Sequence, residues 1–123
     1  VLDDELFNDK HDYKTCQNPI AGHRGNGESC GFIDVRPNAE GMCQVDLVNS
    51  RLNLGLTMIY RKEQLPALTN WQHWGPGEYV CALEPGTHFP IGQNKAREQN
   101  QLILLEPGEK RDYQLTIRVA SMK

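Results

Sequence analysis

From Phe32 onward the sequence is cut into short apolar runs, each soon closed by Gly, Pro or Asn. No helical apolar stripe persists for more than a turn or two, so this punctuation points to an all-β protein. Phe32-Ile33-Asp34-Val35 reads as a strand that ends at the turn Pro37-Asn38-Ala39-Glu40-Gly41. Cys43, Val45 and Leu47 then alternate with Gln44, Asp46 and Val48, a period of two that turns one face inward. After Asn49-Ser50-Arg51, the residues Leu54, Leu56, Met58 and Tyr60 share one face, opposite Gly55, Thr57, Ile59 and Arg61. Tyr79 to Leu83 has strong β character, and Leu102 to Leu105 is apolar on both faces, as a central strand would be. In the last strand Tyr113, Leu115, Ile117 and Val119 alternate with Gln114, Thr116 and Arg118. Gln93 to Asn100 has Ala96 nearly alone as an apolar residue and reads as a solvated loop.

Residues 1–31 differ in character. They are polar and rich in turn formers, with only Leu2, Leu6, Phe7, Tyr13 and Ile20 as anchors. The expected organisation is an irregular connecting segment over 1–31 and a single β-sandwich portion over 32–123. Strands apolar on both faces need partners that this polar segment does not offer. The chain therefore either forms a homo-oligomer or belongs to a longer protein that supplies a neighbouring sheet. The absence of an initiator Met favours the second.

The composition excludes several classes. A net charge of −3 leaves no basic surplus for nucleic acid. No apolar run approaches the ~20 residues that span a bilayer, and Val1-Leu2-Asp3-Asp4 does not begin a signal peptide. Cys16, Cys30, Cys43 and Cys81 form no C-x-x-C pair and read as free thiols of a reducing cytoplasm. His11, His23, His73 and His88 are scattered without metal-ligand spacing and read as surface residues, so no metal and no cofactor is expected. Gly22-His23-Arg24-Gly25-Asn26-Gly27 lacks a following helix and reads as a turn, not a phosphate cradle.

The chemically informative stretch runs from Leu65 to Glu109. Trp71-Gln72-His73-Trp74 sets both tryptophans beside the Gly75-Pro76-Gly77 loop, and indoles among amides and imidazoles suit the stacking and hydrogen bonding of a sugar. Glu84 closes an apolar run, a place where a carboxylate is partly desolvated as a general base requires, and Pro85 leads the chain out of the ladder. Glu106-Pro107-Gly108-Glu109 repeats that motif after Leu105. Local chemistry alone does not separate the two, and each also reads as a turn between strands.

The ordered set Leu65-Pro66, Trp71, Gly77-Glu78-Tyr79-Val80, Leu83-Glu84-Pro85-Gly86, Gly92, Arg97-Glu98, Leu102, Leu105-Glu106-Pro107-Gly108-Glu109, Tyr113 and Leu115 resembles the galactose-mutarotase-like superfamily. The likeness is to the C-terminal portion of an uncharacterised bacterial branch related to aldose 1-epimerase. Gly41, Val45-Asp46-Leu47-Val48-Asn49 and Leu54-Gly55-Leu56 extend it upstream, so that it covers residues ~30–120. The resemblance implies part of an antiparallel β-sandwich, a supersandwich whose concave face holds a hexose. It implies that Glu84 is the glutamate that takes the anomeric proton, and that Glu106-Pro107-Gly108-Glu109 is a structural turn. The family's catalytic histidine, in a His-x-Asn or Asn-His context, has no match here, so mutarotase turnover is not expected of this chain by itself.

The resulting expectation is a cytoplasmic carbohydrate-binding protein related to aldose 1-epimerases, an isomerase of sugar anomers when full length. Glu84 is the catalytic candidate, and Trp71, Trp74 and His88 are the substrate-binding candidates. The expected ligand is a hexose or hexose derivative, with no nucleic acid or membrane as partner. The alternative is a non-catalytic β-sandwich that binds a ligand or dimerises.

Overall fold

The computed structural model describes residues 13–21 and 28–122. It contains six strands, β1 (Ser29–Ile33), β2 (Met42–Asn49), β3 (Leu54–Arg61), β4 (Ala67–Gly75), β5 (Glu78–Gly86) and β6 (Leu115–Ser121), and one helix, α1 (Gln93–Glu98). The strands form two three-stranded sheets, β1-β4-β5 and β2-β3-β6. The chain divides into two compact units, Val1–Asp34 with Leu68–Glu84 and Val35–Ala67 with Pro85–Lys123.

In the first unit β1 runs antiparallel to β4, with Cys30 opposite Trp71 and Phe32 opposite Thr69. Strand β4 runs through the Trp-Gln-His-Trp stretch, to which the sequence pattern assigns no element. It lies between two neighbours and is buried along nearly its whole length, polar residues included: Thr69, Asn70, Gln72 and His73 are all buried. Those side chains are tolerated because most find partners. Trp74 Nε1 donates to Gln72 Oε1 at 2.8 Å, and Gln72 Nε2 donates to Asn70 Oδ1 at 2.6 Å and to the Tyr13 carbonyl at 3.0 Å. Asn70 Nδ2 donates to the Ala82 carbonyl at 3.1 Å. A buried amide ladder of this kind avoids the ~1–3 kcal/mol cost of each orphaned group. Ser29, opposite Gln72 in the register, has a buried hydroxyl with no such partner.

Two residues, Pro76 and Gly77, join β4 to β5. Gly77 has φ +78°, so Pro followed by a left-handed Gly makes a tight turn of type II character. Strand β5 continues through Pro85 to Gly86. Pro85 does not end the ladder as expected, because β5 is an edge strand, where a missing N–H can face outward.

In the second unit the register sets Leu47, Leu56 and Val119 on one line, with Val45, Met58 and Ile117 on the next. Cys43, Tyr60 and Leu115 follow on the same face, and Cys43 and Tyr60 are its buried end. Gln44, Asp46, Thr57, Thr116 and Arg118 belong to the opposite face, where Thr57 Oγ1 donates to Asp46. Asn38 shapes the entry to β2: its Oδ1 accepts from the Glu40 and Met42 amides at 3.0 and 2.9 Å.

Two expectations are corrected here. Leu102 to Leu105 is not a strand: no ladder flanks it, and Leu104 is 80% exposed. Gln93 to Glu98 is a helix, not a loop, and its single apolar residue, Ala96, is fully buried. One small anchor suffices because the helix is less than two turns long. Glu106-Pro107-Gly108-Glu109 is a turn, with Gly108 at φ +83° and the Glu109 amide donating to the Glu106 carbonyl at 2.9 Å.

Candidate functional site

The β4–β5 hairpin decides which side chains can meet. A two-residue turn sets Gly75 opposite Glu78, and counting along the strands sets Trp71 opposite Ala82 and Thr69 opposite Glu84. Directly opposed residues share a face, so Thr69, Trp71, His73 and Glu84 lie on one face, and Asn70, Gln72, Trp74, Tyr79 and Cys81 on the other. Two contacts agree with this division. His73 Nε2 lies 3.5 Å from Glu78 Oε2, and Asn70 Nδ2 donates to Cys81 Sγ at 3.8 Å.

The first face carries Trp71, His73 and Glu84 together. The rings of Trp71 and His73 stack, with centroids 6.4 Å apart and planes 24° from parallel. Trp71 Nε1 donates to Glu28 Oε2 at 2.6 Å. Glu84 is exposed rather than partly desolvated, because an edge strand leaves its side chain open to solvent. Two residues of strand separate Trp71 from each of its flanks, about 7 Å along β4. The indole thus has His73 on one side and the Thr69–Glu84 pair on the other.

Of the four sequence-derived candidates, Trp71 and Glu84 come together on this face. Trp74 lies on the opposite face of the same strand, 3% exposed, with its indole N–H held by Gln72. His88 belongs to the second unit. It borders a cleft of about 410 Å³ lined by Thr87, Gln101, Ile103 and Arg111 among others, and its Nδ1 lies 2.8 Å from the Phe89 carbonyl. Gln101 Oε1 is buried without a hydrogen-bond partner.

His73 is the residue that sequence reasoning passed over. Expected at the surface, it is 7% exposed, stacked on Trp71 and beside Glu78. The signal was its spacing of two from Trp71, visible only once residues 67–75 are read as a strand. His11 and His23 lie outside the described residues. Among the described residues no three of His, Cys, Asp and Glu gather in a way that could hold a metal ion, and no helix is long and apolar enough to cross a membrane.

A model of the family described as "Domain of unknown function (DUF4432)" matches residues 1–119. The chain belongs to that family. Among solved structures it is similar to one described as a "putative aldose 1-epimerase" from Klebsiella pneumoniae subsp. pneumoniae MGH 78578, with a TM-score of 0.76 and 25% identity. That match covers 85% of this chain and 27% of the Klebsiella chain, so this chain spans about a quarter of that protein's length. No curated protein matches. The expected kinship with aldose 1-epimerase-related proteins is borne out, and with it the all-β, antiparallel fold class of a mutarotase-like sandwich.

Proposed function

We propose that the Trp71 face of the β1-β4-β5 sheet binds a hexose or hexose derivative in an aldose-1-epimerase-like protein, and that Glu84 is its general base, the bound sugar supplying the desolvation that the exposed carboxylate lacks. The observation that carries this reading is the gathering of Trp71, His73 and Glu84 on one face of one hairpin. It gains weight from the likeness to the Klebsiella protein. The apolar face of a pyranose stacks on the half-buried indole, which the buried His73 ring supports from beside it, while the exposed Glu84 carboxylate binds its hydroxyls. In a longer protein that supplies an acid, Glu84 takes the proton from the anomeric hydroxyl as the bond from the anomeric carbon to the ring oxygen breaks. That acid protonates the ring oxygen, and both protons return when the ring recloses on the other side.

Saturation-transfer NMR with a panel of hexoses tests this. One sugar class gives a signal, which falls at least ~5-fold in Trp71→Ala, where the stacking surface is gone, and weakens in Glu84→Gln. A folded protein silent to the whole panel, or a signal indifferent to both substitutions, sinks the reading.

A second reading rests on a different observation. Leu115, Ile117 and Val119 of β6 present an exposed apolar row, which would serve self-association in a non-catalytic module. A stable dimer that ignores sugars favours it, and a monomer that binds a hexose removes it.

A further inference from the structure

The other face of the first sheet holds a group of side chains that the sugar reading does not use. Residues 13–20 are fastened there at three points. The Tyr13 carbonyl accepts from Gln72 Nε2 at 3.0 Å, the Gln17 carbonyl accepts from Tyr79 Oη at 2.6 Å, and the Ile20 amide donates to the Trp74 carbonyl at 2.8 Å. Between the first two lies Cys16. Gln72, which holds the Tyr13 carbonyl, stands opposite Cys81 in the β4–β5 hairpin, and Tyr79, which holds the Gln17 carbonyl, lies two residues before Cys81 on the same face, so Cys16 is held over Cys81 and the two thiols act on each other. Cys81 also receives the Asn70 amide at 3.8 Å. Both thiols are partly accessible, and both are reduced.

The other two cysteines are placed apart. Cys30 stands opposite Trp71 in the β1–β4 register and so belongs to the sugar-reading face. Cys43 is fully buried in the second unit, with its Sγ 3.7 Å from the Val35 carbonyl. Cys16 and Cys81 are therefore the two thiols poised for each other.

We propose that Cys16 and Cys81 form a reversible disulfide by exchange with a low-molecular-weight disulfide, stapling residues 13–20 to β5. The Cys16 thiolate attacks one sulfur of the reagent, giving a mixed disulfide and releasing one thiolate. Cys81 then gives up its proton and attacks the Cys16 sulfur, displacing the second thiolate. Two protein thiols are oxidised, one reagent disulfide is reduced, and the two protons leave on the two released thiols.

The local electrostatics assign the roles. The hydrogen bond from Cys81 brings the Cys16 thiol down from 9.0 to about 7, with help from the Tyr79 hydroxyl and against the effect of burial. The same hydrogen bond, then burial and the Cys16 charge, push Cys81 up, and the Asn70 amide opposes them. Cys16 is thus the attacking thiol and Cys81 the resolving one. Tyr79 has one phenolic proton for two acceptors, so it donates to Gln17 while Cys16 is a thiol and can turn to the thiolate once that forms.

The test exposes the chain to oxidised glutathione and maps its disulfides by non-reducing peptide mass spectrometry. The expected product is a single Cys16–Cys81 cross-link, with free thiols falling from four to two and recovering in dithiothreitol. In Cys81→Ser the glutathione adduct accumulates at Cys16, and in Cys16→Ser the reaction of Cys81 slows at least ~10-fold. Links through Cys30 or Cys43, or a stable adduct at Cys16 in the unaltered chain while Cys81 stays free, overturn the proposal. The map of the unaltered chain decides the matter even where a serine variant fails to fold.

Discussion

Strand β4 at the centre of one sheet and strand β6 at the edge of the other invert the usual reading of polarity. The first buries Thr69, Asn70, Gln72 and His73, whereas the second leaves Ile117 and Val119 54% and 64% exposed. Position in the sheet accounts for the difference. A central strand has a neighbour on each side and, on one face, residues 13–20, so its side chains are enclosed whatever their chemistry, and hydrogen bonds make the enclosure tolerable. An edge strand has one neighbour, and its apolar alternation directs side chains to a common face without covering them. Alternation fixes the face a residue joins, while coverage and hydrogen-bond satisfaction fix what it costs to be there.

The largest test of that contrast is Gln72→Leu. If enclosure favoured apolar residues, the change would stabilise the protein. Instead the Trp74 indole, the Asn70 side-chain oxygen and the Tyr13 carbonyl each lose the hydrogen bond that Gln72 makes. Urea unfolding is expected to show a loss of roughly 2–5 kcal/mol, from orphaned groups at ~1–3 kcal/mol each.

The covering segment supplies the next test, through Cys16. The depressed Cys16 thiol means that docking of the segment strengthens as pH rises from about 7 toward the free value of 9.0 and slackens as pH falls through about 7, while above 9.0 the raised Cys81 thiol opposes any further gain. Alkylation of Cys16, followed by mass spectrometry, is therefore half-maximal near pH 7. At that pH it runs at least ~10-fold faster than for an ordinary thiol. Gln72→Leu, by loosening the cover at Tyr13, returns the midpoint toward 9.0.

Smaller effects follow. Gly77→Ala meets no atom within 4 Å, so its cost isolates the left-handed turn that sets the hairpin register. It should amount to about 1 kcal/mol by thermal unfolding. Least of all, Ile117→Thr and Val119→Thr on β6 are each expected to change stability by no more than about 0.5 kcal/mol. A loss of ~1.5–3 kcal/mol from either would show that the row is covered in solution, as burial of such side chains is worth that much.

The same contrast explains what could be read from the sequence. Strands β2, β3, β5 and β6 were legible because their residues alternate or form apolar runs, and the fold class followed from the punctuation between them. Strand β4 was not, because Asn70, Gln72 and His73 look like loop residues until their partners are known. Leu102 to Leu105 failed in the opposite sense, as apolar residues with no neighbour to make a ladder. At the proposed site, motif order named Trp71 and Glu84, which share a face of the hairpin. That Trp74 faces away from Trp71 depended on reading a strand through both, since a spacing of three reverses the face. His73 was hidden for the same reason.

The two-residue turn between β4 and β5 also orders events in time. Trp71, His73 and Glu84 are brought to one face by a hairpin whose ends are adjacent in the chain, and hairpins of this kind close in about 1–10 μs. Strand β6 must instead reach β3 across more than fifty intervening residues, from Arg61 to Leu115, a pairing that pays loop entropy before any contact rewards it. The face proposed to bind sugar is thus assembled by the most local strand pairing among the described residues, which favours its forming before β6 joins the second sheet.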